Sequence, residues 1–172
     1  RVFRDALGPL LFPEGSVACI GAFDGVHLGH AALIARTVDR ARATGRSAVV
    51  LSFEPLPRAF FQKGSPLVRL CSPRQKVERA RALGADAVGL TRFNRALADL
   101  PAETFIEQVL VGRLGVREVW IGPDFRFGHG RRGDVGMLEA HAARLGFTVC
   151  VLPVQDLGGE AEVEVFAQEV VV

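Results

Sequence analysis

The chain has no apolar run approaching the roughly 18 to 20 residues that span a membrane, so no membrane partner is expected. It also lacks an excess of either charge. The 21 basic and 19 acidic residues leave a formal net charge of +2, which gives no electrostatic case for a nucleic-acid partner. Cysteine is scarce and odd in number. Cys19, Cys71 and Cys150 lie far apart, which argues against a disulfide framework and fits a reducing cytoplasm. Cys19 and Cys150 sit inside apolar runs and are expected to be small buried residues. There is no internal repeat, no low-complexity linker, and no signal-peptide pattern after Arg1.

What remains suits one globular domain. The 172 residues are 49% hydrophobic and 23% charged, enough for a substantial core with an ordinary soluble surface. Strand-like and helical runs alternate. Strands are expected at Val17–Ala22, Ser47–Phe53, Asp86–Thr91, Glu118–Gly122 and Phe147–Leu152. Between them fall helices at Ala31–Thr44, after a Ser72-Pro-Arg-Gln75 capping box to Leu83, at Pro101–Leu114 and at Asp134–Leu145. Gly45, Gly84, Gly115 and Gly146 stand where those helices should stop. The order predicts an α/β fold, a Rossmann-like parallel sheet with helices on both faces.

The unusual residues gather where the strands end. They are Phe23-Asp24-Gly-Val-His27, Phe53-Glu54-Pro-Leu-Pro57, Arg92-Phe93-Asn94, and Gly122-Pro-Asp124-Phe-Arg126-Phe-Gly128. The turns on the opposite edge are short and plain. Open α/β sheets bind ligands outside the carboxyl ends of their strands, so one site is expected there.

Gly21-Ala-Phe-Asp-Gly-Val-His-Leu-Gly-His30 is the most informative stretch. Gly21, Gly25 and Gly29 allow a sharp turn and close ligand approach. A helix starting there aims its backbone N–H groups at an anion. His27 and His30, three apart, would share a face of its first turn. Two imidazoles beside a positive helix end suit the charge that builds when a phosphate bond breaks. A zinc site would need further ligands at ordinary spacing, and none stands nearby, so no metal site is expected. Asp24 could equally cap the turn. A second loop, Gly122 to Asp134, carries a carboxylate, aromatic rings and a basic cluster, Arg126, Arg131 and Arg132, suited to a phosphate. Aromatic faces there could stack on a flat ring. The prolines of Phe53–Pro57 could serve a ligand or simply stiffen a loop. His129 could be incidental to its loop, and His141 falls on a helix face with no role assigned.

The words GxFDGVHxGH and GPDFRFGHGRRGD closely resemble those of the prokaryotic FAD synthetases, specifically the FMN adenylyltransferase half of a bifunctional enzyme that also carries riboflavin kinase. Phe53-Glu-Pro-Leu-Pro57 resembles a third family segment, with Leu56 where histidine is usual. The resemblance implies an HxGH nucleotidylyltransferase fold that makes FAD and pyrophosphate from ATP and FMN with Mg²⁺. It implies that His27 and His30 contact the ATP phosphates and stabilise the transition state, with no covalent protein intermediate. Gly21, Phe23, Asp24 and Gly29 would serve ATP. Phe53, Pro55, Asp124, Phe125 and Arg126 would serve the flavin. ATP and FMN are then the expected partners, with a covalently linked riboflavin kinase domain in a longer protein.

The likeness runs from Val17 to Pro153. The family's second nucleotide motif, of the form SSTxxR, does not follow. No Ser, Thr or Arg occurs from Gln155 to Val172. Three explanations stand: a stretch between the flanks is omitted, the chain is truncated or altered there, or the motif is lost and nucleotide binds weakly or not at all. Residues 1–160 are expected to be the adenylyltransferase domain and 161–172 an atypical tail, an edge strand or the start of a kinase domain. The alternative function is a non-catalytic flavin- or nucleotide-binding module.

Overall fold

In the computed structural model, residues 1–25, 28–66 and 68–153 are described. The expectations for His27 and for the tail at 161–172 lie outside them.

Among the described residues six strands form one sheet, all parallel: β1 (Val2–Phe3), β2 (Ser16–Ile20), β3 (Ser47–Glu54), β4 (Ala87–Arg92), β5 (Val116–Ile121) and β6 (Thr148–Val151). Their spatial order is β1-β4-β3-β2-β5-β6. The chain therefore winds outward from β2 in both directions, and the reversal opens a crevice between β2 and β5.

Alternation along the strands divides the core. Val17 and Cys19 of β2 face α1 (Leu28–Thr44) and α3 (Pro73–Ala82), where Leu33, Ile34, Val38, Val77 and Ala80 are buried. Ala18 and Ile20 face the other side, against Phe105, Ile106, Val109, Leu110 and Leu138. Those come from α5 (Ala102–Thr104) with its π-helical continuation Phe105–Arg113, and from α6 (Val135–Leu145). Helices thus cover both faces, as parallel strands buried on both sides require.

The local devices explain the boundaries. Ser72 and Gln75 make the capping box of α3 with both reciprocal bonds present, at 3.2 and 2.8 Å. Asp134 accepts from Met137 N at 2.8 Å and caps α6, and Gly146 closes that helix in the left-handed region. Besides the 3₁₀ turn His129–Arg131, three elements were not expected from the sequence. β1 pairs with β4 through two residues only, too few for an alternation to register. α2 (Pro57–Phe61) starts on Pro57 at its first position, so this proline opens a helix rather than stiffening a loop. The third is the single turn α4 (Arg95–Ala98), capped by Asn94. The helix expected at Pro101–Leu114 widens to i→i−5 bonding, as in Leu114 N to Val109 O at 3.1 Å, which side-chain spacing does not announce. Cys19 is buried as expected, but Cys150 is only half-buried, on the last strand of the sheet among the described residues.

Candidate active site at the carboxyl edge

β2 ends in Gly21, and the chain turns through Ala22, Phe23, Asp24 and Gly25 before α1 begins. Gly21 N still donates to Leu51 O of β3 at 3.1 Å, so the turn starts in register with the sheet. Phe23 then adopts φ +50° without being glycine. A bulky residue in that region costs roughly 1–3 kcal/mol and persists only where its surroundings hold it, commonly at functional sites. Its ring is buried and meets His30 edge-on, with centroids 5.0 Å apart.

His30 lies on the first turn of α1 with no solvent exposure. Burial, and then the charge of Lys76, hold its pKa down at about 3, so the imidazole is neutral at ordinary pH. Gly29, also buried, sits beside it at the helix start.

Asp24 turns away from the helix. Its carboxylate accepts from Leu70 N at 3.1 Å and Cys71 N at 3.1 Å, which pins the segment before α3 against the glycine turn. The thiol of Cys71 completes that clasp, accepting from Gly25 N at 3.2 Å. Of the two roles open to Asp24 in the sequence, this geometry displays the turn-fixing one.

At the end of β3, Phe53 is fully buried and meets Phe93 edge-on at 6.0 Å. Pro55 is exposed on the adjoining turn. Glu54 is half-buried, pairs with Arg69, and lies 4.0 Å from Lys76 Nζ.

The loop after β5 alternates as a strand would. Phe125 and Phe127 point inward and stack at 5.4 Å, while Asp124 and Arg126 are exposed. Phe127 and Gly133 bridge antiparallel and close the loop. A Cβ on Gly133 would lie 2.5 Å from the Phe127 ring, and one on Gly128 2.5 Å from Ala102, so only glycine fits at both. Arg126 reaches Asp134 at 3.6 Å. Arg131 and Arg132 are exposed beside it. The expected stacking face is therefore not offered by Phe125, whose ring is 5% exposed and belongs to the core.

The structure bonds Gly21 and Ala22 to β3 and Asp24 to the segment before α3, with Phe23 in ring contact with His30 and Gly29 next to it on α1. It sets Asp124 and Arg126 on the neighbouring strand's loop, across the β2–β5 crevice. Sequence reasoning missed Lys76 and Ser52. Lys76 is 2% exposed and donates to Ala22 O at 2.7 Å and Ser52 Oγ at 3.1 Å. The signal was there: Lys76 stands four before Ala80 on the face of α3 that also buries Val77. Among the described residues no group of three His, Cys, Asp or Glu side chains could hold a metal ion, and no helix is long and apolar enough to cross a membrane.

Comparison with known proteins adds an independent result. A family model described as FAD synthetase matches residues 11–163. A bifunctional riboflavin kinase/FMN adenylyltransferase of Pseudomonas fluorescens is 42% identical over 151 residues, covering 87% of this chain and 48% of that protein. The same-named protein of Escherichia coli K12 is 39% identical over 136 residues, covering 79% of this chain and 44% of its own length. The chain thus spans about half the length of the curated relatives it matches. A crystal structure described as the macrolide-efflux protein from Streptococcus pneumoniae superposes with a TM-score of 0.71 at 22% identity, over 88% of this chain and 50% of that one. That likeness is one of fold alone.

Proposed function

The chain belongs to the FAD synthetase family, and on that premise we propose that it is an FMN adenylyltransferase, forming FAD and pyrophosphate from ATP and FMN. A phosphate oxygen of FMN attacks the α-phosphorus of ATP, and the bond from that phosphorus to the pyrophosphate oxygen breaks. The observation that carries the reading is that two loops follow neighbouring, paired strands at the carboxyl edge of the sheet. The glycine turn with the start of α1 stands at the end of β2, and the Asp124–Arg126 loop stands on β5, its neighbour.

The residues divide the work by chemistry. The glycine turn, with Gly21, Phe23, Asp24 and Gly29, receives ATP and aims the N–H groups of α1 at its phosphates. His27 and His30 stabilise the negative charge of the transition state. His30, neutral, does so as an N–H donor rather than as a cation. Phe23 packs edge-on against its ring and fixes the orientation of the imidazole. Asp124 and Arg126 orient FMN, Pro55 lines its edge, and the buried Phe53 and Phe125 support that wall from beneath. Magnesium carried by the ATP phosphates would supply charge neutralisation for the pyrophosphate, a role that needs few protein ligands. We place the reaction in the cytoplasm, with residues 1–160 as its domain and a linked riboflavin kinase domain in the longer protein. Neither nucleic acid nor membrane is a partner in this reading.

The test is incubation with FMN, ATP and magnesium, with FAD followed by chromatography. FAD formed by the wild type and lost in His27→Ala supports the reading. A folded chain that makes no FAD refutes it. Tight FMN binding by that chain would then favour the non-catalytic module, for which the tail free of Ser, Thr and Arg is the specific support.

A further inference from the structure

Lys76 is the most deeply buried cation among the described residues, and the proposed chemistry does not use it. Its ammonium lies under the glycine turn. It donates to Ala22 O at 2.7 Å and to Ser52 Oγ at 3.1 Å, and Ser52 Oγ donates in turn to the same Ala22 O at 2.8 Å. Two donors therefore grip one carbonyl, which belongs to the peptide immediately before Phe23. That peptide's orientation sets how the strained Phe23 backbone leaves the sheet. Phe23 in turn places its ring against His30, and Asp24 takes the amides of Leu70 and Cys71.

Burying an ammonium is costly, and burial pushes its pKa below the ordinary lysine range. The ionisable groups around it are Glu54 at 4.0 Å, then Cys71, Asp24 and Arg69, with His30 facing it from α1. An apolar residue would fill the slot more cheaply. The lysine has a specific use here: its four-carbon stem carries a compact donor from α3 through the core to Ala22 at the end of β2.

We propose that Lys76 is a positioning residue, which with Ser52 holds the Ala22–Phe23 peptide in the shape that admits ATP to the glycine turn. The inference rests on the ATP role given to that turn above. It differs from a merely structural role in that it acts on one substrate and not the other.

Lys76→Met, Ser52→Ala and the wild type are titrated by calorimetry with ATP plus magnesium and, separately, with FMN. Thermal melts establish that each is folded. Lys76→Met should weaken ATP binding by about tenfold or more and FMN binding by less than about twofold. Ser52→Ala, which removes one grip and keeps the lysine, should shift ATP alone by a smaller factor. Wild-type ATP affinity in folded Lys76→Met overturns the proposal, as does equal loss of both ligands. Should Lys76→Met fail to fold, Ser52→Ala decides, and unchanged ATP binding there is refutation. A wild type that binds ATP but makes no FAD counts against adenylyl transfer alone, since the titration still tests Lys76. A wild type that binds no ATP overturns both.

Discussion

Acidification should destabilise the folded chain through His30 by an amount the structure sets. The folded pKa is about 3, against an ordinary value of 6.5. A depressed folded pKa means that the unfolded chain binds the proton more readily. The stabilising contribution is then complete above the unfolded pKa and is lost as pH falls toward the folded one. Between about pH 8 and about pH 5, this single group should remove about 2 kcal/mol of stability. Burial without solvent exposure leaves little screening to weaken the effect. The assay is urea denaturation at several pH values, on the wild type and on His30→Gln, which cannot titrate. The difference in stability between the two should change by about 2 kcal/mol across that window. Parallel pH curves would refute the buried, neutral imidazole and with it the N–H donor role.

Other outcomes follow from contacts already described. Gly128→Ala adds a Cβ 2.5 Å from Ala102 at φ +76°, and should lower stability by at least about 2 kcal/mol in thermal melts while loosening the Asp124–Arg126 loop. Asp24→Ala leaves the Leu70 and Cys71 amides without their acceptor. It should cost about 1–3 kcal/mol and expose the segment before α3 to limited proteolysis. Arg126→Ala should raise the KM for FMN while leaving that for ATP near the wild-type value, as steady-state kinetics would report. His30→Ala should reduce both turnover and stability, because a fully buried ring leaves a cavity, so loss of activity in that variant is read only beside its melting curve.

The sequence carried most of the framework because its signals are local. Capping at Ser72 and Asp134, glycine at the helix ends and continuous apolar strands each depend on a few neighbouring residues. Their elements stand within about three residues of expectation. The strand order was not legible. Nothing in the spacing says that β2 lies between β3 and β5, and this alone puts the two loops side by side. At the site, Gly21 to His30 was conspicuous by composition, but the direction of its side chains was not. Phe125 and Phe127, two apart in an extended loop, both point into the core. The same period that exposes Asp124 and Arg126 buries those rings. Lys76 was hidden by its type, since a lysine on a helix is ordinarily a solvated residue.

The pairing of β2 with β5 joins Ser16 to Val116 and Cys19 to Trp120, residues about a hundred apart in the chain. The two candidate-site loops are thus held on neighbouring strands by one of the most distant pairings in the domain. Joining strands so far apart in the chain costs more closure entropy than the local β2–β3 pairing, so the β2–β5 pairing is expected to form later in folding. A fragment ending before Val116 would leave β2 as a bare edge beside half a site, open to pairing with other chains rather than to ligand. On a ribosome, β2 keeps this open edge until β5 has emerged.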